Sequence, residues 1–402
     1  MSAPAATAER RPEWLRLSPT RSIAWLGILL GAVAFWLTLP PLKSRSAYWP
    51  VAIGILAVAA GTWAVSRRER RLGWGAVAAG ILGIVLGLLA LRSSTDHLET
   101  VVVWSALIAA MLRAATPLVF AAIGGMFSER SGVINIGLEG MMLMGAWFGI
   151  WAADWGGSWV VGLLIAMAAG GGLALVHAFF SIHLRADQIV SGTAINFLAL
   201  GITGFMFIAI YGDQGTPEVS RIPAVTLAHG DGFFAVAFGQ LNLMIWLALL
   251  LLIVSYVVMF KTPIGLRIRS VGEHPKAADT VGISVFGIRY ACVVLSGMLA
   301  ALGGAYLSIG FVGSFNQNMT VGRGFIALAA LIFGKWRPFG TAAAALLFGF
   351  SSALAQRLPD AYGTSAGTLF NTLPYVLTLI AVAGVIGRSI GPAAVGRPYQ
   401  KQ

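Results

Sequence analysis

Cysteine is almost absent: the 402 residues hold one, Cys292, inside an apolar run. That excludes an intrachain disulfide and any multi-cysteine metal site. Charge is scarce as well, at 10% of residues, where soluble domains carry about 25%. The five histidines lie apart and no HExxH occurs, so no metal-hydrolase motif is available. Of the five lysines only Lys335 follows a glycine, in "FGKW", without the upstream Gly or the following Ser or Thr of a phosphate-binding loop. The chain lacks the motifs of covalent catalysis and of its own ATP hydrolysis. The formal charge of +12 comes without basic runs interleaved with aromatics, so nucleic acid is not the expected partner. Such a chain moves something or holds something.

Apolar length is what the sequence has in quantity. Hydrophobic residues make up 58%, against about 45–50% in soluble domains. A bilayer core about 30 Å thick takes about 20 residues of helix. On that ruler, spans are expected near 23–40, 48–66, 72–91, 101–127, 132–152, 159–183, 188–211, 241–260, 286–310, 323–335, 338–357 and 372–388. The 323–335 piece, "RGFIALAALIFGK", is short; a short span, a half-helix and a re-entrant segment all fit it. The expectation is an all-α polytopic membrane protein of about 10–12 spans, some of them short or broken. The polar stretch through Arg21 runs into the first span without a small-residue cleavage site, which reads as a retained span.

Basic residues set the orientation. With the N-terminus inside, 20 of the 27 lysines and arginines fall on the cytoplasmic side, six fall outside, and Arg113 remains within a span. The expected organisation is a cytoplasmic tail at 1–22, a three-span extension at 23–100, a main transmembrane domain at 101–388 and a cytoplasmic tail at 389–402. The main domain carries an external loop at 212–240 and a cytoplasmic loop at 261–285. A Gly-interrupted segment at 132–152 has a rough counterpart at 322–350, a pattern associated with transporter binding sites.

Of 15 acidic residues, only Glu139 lies well inside a span. A carboxylate there costs about 2.5–3.5 kcal/mol on insertion scales, so it must face protein or water. Spacing of four residues would put Asn135 and Glu139 on one helical face, with Gly137 and Gly140 on another, where they permit close helix approach. Two readings of Glu139 stand: it caps the broken end of a neighbouring half-helix, or it lines a polar path. In the inner loop, "GEHPKAADTVGI" reads as a helix starting at Pro275 and stopped by Gly282. Ala277 and Ala278 would let another protein's surface approach. Such a helix suits either a lever or an amphipathic segment resting on headgroups.

Three stretches, "SERSGVINIGLEGMMLMGAW", "GLRIRSVGEHPKAADTVGI" and "NMTVGRGFIALAALIFGKWRPFG", together resemble the permease subunits of bacterial ABC importers. The branch is the nucleoside and simple-sugar group, related to the branched-chain amino acid permeases, and the resemblance covers about 101–388. "KAADTVG" fits the loop by which such permeases meet their ATPases, with Lys276 where many have Glu. The resemblance implies no cofactor in this chain, ATP and Mg being bound by a separate ATP-binding subunit docked on 265–282. Gly265, Arg267, Arg269, Glu273, Pro275, Ala277, Ala278 and Gly282 would carry that coupling.

It further implies an external substrate-binding lipoprotein docked on loops such as 212–240, and a second permease subunit, a homodimer remaining possible. The location would be the bacterial inner membrane, multi-pass, with the N-terminus cytoplasmic. Asn135 and Glu139 would lie near the translocation path, and Phe315, Asn316, Gln317 and Asn318 at its outer mouth. Nucleosides are expected ahead of sugars, with amino acids third. The alternative is an ion-coupled secondary transporter of a small polar solute, and a further one a membrane scaffold.

Overall fold

The computed structural model describes residues 19–38, 48–92, 103–362, 372 and 390–401. Among them the regular structure is helical apart from one short ribbon. Among the described residues nine helices are long and apolar enough to cross a membrane, which makes this an all-α multi-pass membrane protein. The span expected at 372–388 lies outside the described residues.

The chain divides into two compact units, 1–102 with 355–388 and 103–354 with 389–402. In the first, α1 (Pro19–Trp36), α2 (Tyr48–Ser66) and α3 (Arg70–Arg92) pack together. Two reciprocal glycine pairs join α2 to α3. A methyl on Gly61 would stand 2.6 Å from the Gly73 carbonyl, and one on Gly80 would stand 2.6 Å from the Gly54 carbonyl. With no hydrophobic drive between helices in lipid, this backbone-to-backbone approach supplies the packing.

The second unit contains α4 (Trp104–Arg130), α5 (Leu138–Gly156), α6 (Trp159–Ala178) and α7 (Gln188–Tyr211). Strands β1 (Ala224–Thr226) and β2 (Gln240–Asn242) follow, with α8 (Phe233–Phe238) between them. They pair antiparallel with Val225 opposite Leu241, so part of the expected outer loop is a folded ribbon. Asn242 fixes it to α9 (Leu243–Lys261): its Oδ1 caps the Met244 amide, and its Nδ2 donates to the Ile222 and Gly310 carbonyls.

At the far end of α9 come α10 (Pro263–Glu273) and α11 (Pro275–Thr280), then α12 (Val285–Ala305), α13 (Arg323–Phe333) and α14 (Pro338–Tyr362). Helix α12 is the hub and packs on α4, α5 and α6. A methyl on Gly304 would stand 1.8 Å from the Met142 carbonyl, and one on Gly145 would stand 2.1 Å from that of Ala301. Helices α5 and α12 therefore touch through bare backbone.

The seam generates a stability prediction. Gly304→Ala should destabilise the detergent-solubilised protein by about 1–3 kcal/mol, the usual cost of overpacking. Gly172→Ala, where a methyl meets nothing within 4 Å, should leave the Tm unchanged. Equal Tm values for the two variants would contradict the packing described.

Candidate functional site

Between α4 and α5 the chain is not helical. The segment 131–137 is almost wholly buried, so its backbone polar groups must find partners in protein. Backbone groups serve its first residues, the Gly132 amide donating to the Glu129 carbonyl and the Val133 amide to that of Ser128, and polar side chains serve the rest. Gln188 Oε1 accepts from the Ile134 amide at 2.7 Å, and His177 Nε2 stands 3.0 Å from the Ile134 carbonyl. The second His177 nitrogen meets Ser191 Oγ at 3.0 Å. Asn196 spans the start of α5, its Oδ1 accepting from the Gly140 amide and its Nδ2 donating to the Ile136 carbonyl. Ser128 Oγ donates to the Val133 carbonyl. Gly137 and Gly140 face α7, where a methyl would meet Ile195 and Asn196 respectively.

Asn135 is fully buried but is not on a helix with Glu139, because α5 begins only at Leu138. The shared helical face expected from their spacing does not form. Asn135 Nδ2 instead donates to Ser296 Oγ at 3.0 Å and meets Met141 Sδ at 3.3 Å.

Glu139 lies in the first turn of α5 and is 9% exposed. Its Oε1 accepts from the Gly322 amide at 2.8 Å and its Oε2 from the Gly324 amide at 2.6 Å. One carboxylate thus closes the N-terminus of α13 while sitting at the N-terminus of α5. Both helix dipoles favour a negative charge there. Of the two readings left open by the sequence, the cap is the one the contacts describe. A methyl on Gly324 would stand 2.4 Å from the Glu139 amide nitrogen, so α13 starts in direct backbone contact with α5.

At 11 residues α13 is about 16 Å long, too short to cross by itself. Its far end is anchored to α4: Trp336 Nε1 donates to Glu129 Oε2, and Arg130 Nε donates to the Trp336 carbonyl at 3.0 Å. Lys335 and Trp336 hold φ of 55° and 52°, a left-handed pair kept in place by these bonds.

Phe315 is buried, and its ring lies 5.1 Å from that of Trp147 and 5.7 Å from that of Phe207. Tyr211 closes on Trp147 at 5.8 Å and donates its hydroxyl to Asp154. Asn316, Gln317 and Asn318 are exposed beside this cluster.

The second group of residues lies at the end of α9. Thr262 caps the Gly265 amide, and Gly265 is buried against the Val258 and Met259 carbonyls. Arg269 stacks on Phe260 with its guanidinium 5.1 Å from the ring centre. Helix α10 ends at His274, and α11 is bounded beyond by Gly282 at φ 82°. Arg267, Glu273, Lys276, Ala277 and Gly282 are exposed and Pro275 is half-buried. Ala278 is 3% exposed and packs inward with Val271, Val285 and Tyr399. It cannot meet an outside surface as the sequence suggested; only Ala277 of the pair can. Sequence reasoning passed over His177, Gln188, Asn196 and Tyr399. A polar residue inside an apolar run was the available signal for His177 and Asn196.

Among the described residues no group of His, Cys, Asp and Glu is placed to hold a metal ion. A family model described as branched-chain amino acid transport system / permease component matches residues 107–382. The guanosine ABC transporter permease protein NupQ of Bacillus subtilis (strain 168) is 43% identical over 76% of this chain and 99% of its own length. The nucleoside ABC transporter permease protein NupC of Lactococcus lactis subsp. cremoris (strain MG1363) is 40% identical over 73% of this chain and 96% of its own. The putative glucose ABC transporter permease protein TsgC13 of Haloferax volcanii is 33% identical over 74% and 98%. No solved structure matches. Helices α1–α3 precede the matched region.

Asn196 generates the test of the break. Asn196→Leu removes the partner of the Gly140 amide and of the Ile136 carbonyl, both part-buried, at a cost of about 1–3 kcal/mol for each group left unpaired. The variant should show a lowered Tm in detergent, whereas Asn316→Leu, on an exposed position, should not. An unshifted Asn196→Leu would mean that the break has other support.

Proposed function

Since the chain belongs to the branched-chain amino acid transport system permease family, being an ABC transporter permease subunit, we propose that it forms the translocation path for a nucleoside imported at the expense of ATP. ATP and Mg are bound and used by a separate ATP-binding subunit, and this chain contributes no cofactor. An external binding lipoprotein delivers the substrate, and a second, different permease completes the assembly. The N-terminus and the α10–α11 end face the cytoplasm of a bacterial cell, and the β1–β2 ribbon faces out for the binding protein.

The observation that carries the coupling part is the shape of α11. It is a short helix between two non-helical joints, with Ala278 buried in the chain, Lys276 and Ala277 presented outward, and the 74% exposed Val281 just past its end. An isolated exposed apolar residue beside a small one fits a protein cleft. A closing ATPase would push this helix.

At the opposite end of α7, the Trp147, Phe207, Tyr211 and Phe315 rings form a cluster whose Trp147 Nε1 has no hydrogen-bond partner. Rings able to stack, with exposed amides of Asn316, Gln317 and Asn318 beside them, suit the flat base and the hydroxyls of a nucleoside. The names of two relatives, a guanosine and a nucleoside permease, support this substrate class. The glucose permease relative favours a simple sugar as the second reading. Glu139 acts in this scheme by holding α13 against α5, and Asn135 by bracing the break on α12. The three-helix stretch 23–100 is proposed as an extension separate from the permease domain.

Ala277→Asp tests the coupling. The variant should insert normally, lose its hold on the ATP-binding subunit and lose ATP-dependent uptake of guanosine. Transport by the purified chain alone in ATP-free vesicles, driven by an ion gradient, would instead identify a secondary carrier.

A further inference from the structure

The last described stretch, 390–401, packs on the same unit as α10, α11 and the break, and the functional reading above does not use it. Pro392, Ala394 and Tyr399 are buried and the residues between them are more exposed, so the segment is anchored at intervals. The Ala394 amide donates to the Gly272 carbonyl at 2.9 Å, and the Ala393 amide to Glu273 Oε2 at 3.1 Å, both at the end of α10. The Gly396 amide donates to the Gly132 carbonyl at 3.2 Å, at the first residues of the break. Arg289 of α12, 1% exposed, donates from Nη1 to the Arg397 carbonyl at 3.1 Å. Arg289 Nη2 also lies 2.8 Å from where a methyl on Gly132 would stand.

The chain then inserts Tyr399 among Val271, Ala278 and Val285, with its ring 5.6 Å from that of Phe286. The Tyr399 hydroxyl donates to Asp279 Oδ2 of α11 at 2.8 Å. Burial, and then the Asp279 carboxylate, raise the Tyr399 phenol above its ordinary range, so it remains a donor at neutral pH.

A helix of six residues between two joints cannot pass on a push unless its inner face is tied down. Its His274 joint, at φ −139° and ψ 77°, would otherwise absorb the movement. The tie runs from Asp279 through Tyr399, along the chain to Gly396, and so to Gly132, a contiguous set of packed and hydrogen-bonded groups.

We propose that residues 390–401 are a transmission strap and Tyr399 its positioning residue, linking α11 to the break that precedes α5. The proposal rests on the reading of α11 as the ATPase-docking helix. Force applied at α11 reaches Gly132–Gly137 through the strap, in parallel with the covalent route through α12.

The test uses the full transporter in proteoliposomes with its binding protein and radiolabelled guanosine, comparing the unmodified chain with Tyr399→Phe and Tyr399→Ala. Three quantities are read: ATP-binding subunit retained, ATP hydrolysed, and guanosine taken up per ATP. A merely structural residue would lower all activity in step with the amount of inserted protein. The strap predicts retained subunit and continued hydrolysis, with uptake per ATP falling about 3- to 30-fold in Tyr399→Ala and by a smaller factor in Tyr399→Phe. Uptake per ATP at the unmodified value in either variant overturns the proposal, and Tyr399→Phe, which keeps the ring in place, decides if Tyr399→Ala fails to insert. An Ala277→Asp chain that keeps both its ATP-binding subunit and full uptake would overturn the docking reading instead.

Discussion

A backbone amide away from water has to be paired, and two helices of this protein start where side chains supply partners that the backbone does not. That requirement organises the main unit. Glu139 satisfies the Gly322 and Gly324 amides at the head of α13. Asn196, Gln188 and His177 serve the segment ahead of α5. Helices α5 and α13 therefore begin as one joined feature, with Gly324 and Glu139 in bare-backbone contact that leaves no space for a side chain between them.

Much of this was legible in the sequence because apolar length and charge are strong signals in a membrane chain. The lone glutamate, the proline that opens α11 and the Gly282 that ends it were each visible as exceptions in their surroundings. What could not be read was geometry set by partners distant in the chain. Asn135 and Glu139 looked like neighbours on a helix, but the segment holding Asn135 is not helical, its backbone being bonded by His177 of α6 and by Gln188 and Asn196 of α7. Ala278 looked like a docking residue, yet Tyr399, 120 residues from the adjacent Asp279, covers its side of the helix. The strap itself has no compositional mark: "GPAAVGRPYQK" reads as a basic cytoplasmic tail.

The two ends of α13 explain how a half-helix can matter more than its length suggests. One end is held by Glu139 of α5, and the loop beyond the other by Glu129 and Arg130 of α4. A shift of α5 relative to α4 must tilt α13 or break one set of bonds. The aromatic cluster around Trp147 lies further along α5, so a movement begun at the break would be felt there through a single rigid helix.

The central claim is that the Glu139 carboxylate is what holds α13 to α5. Amide hydrogen exchange at Gly322 and Gly324 tests it most directly, comparing the unmodified protein with Glu139→Leu in the same detergent. The account predicts slow exchange at both amides in the former and a large, local loss of protection in the latter, with α4 unaffected. Equal protection in the two proteins would contradict it.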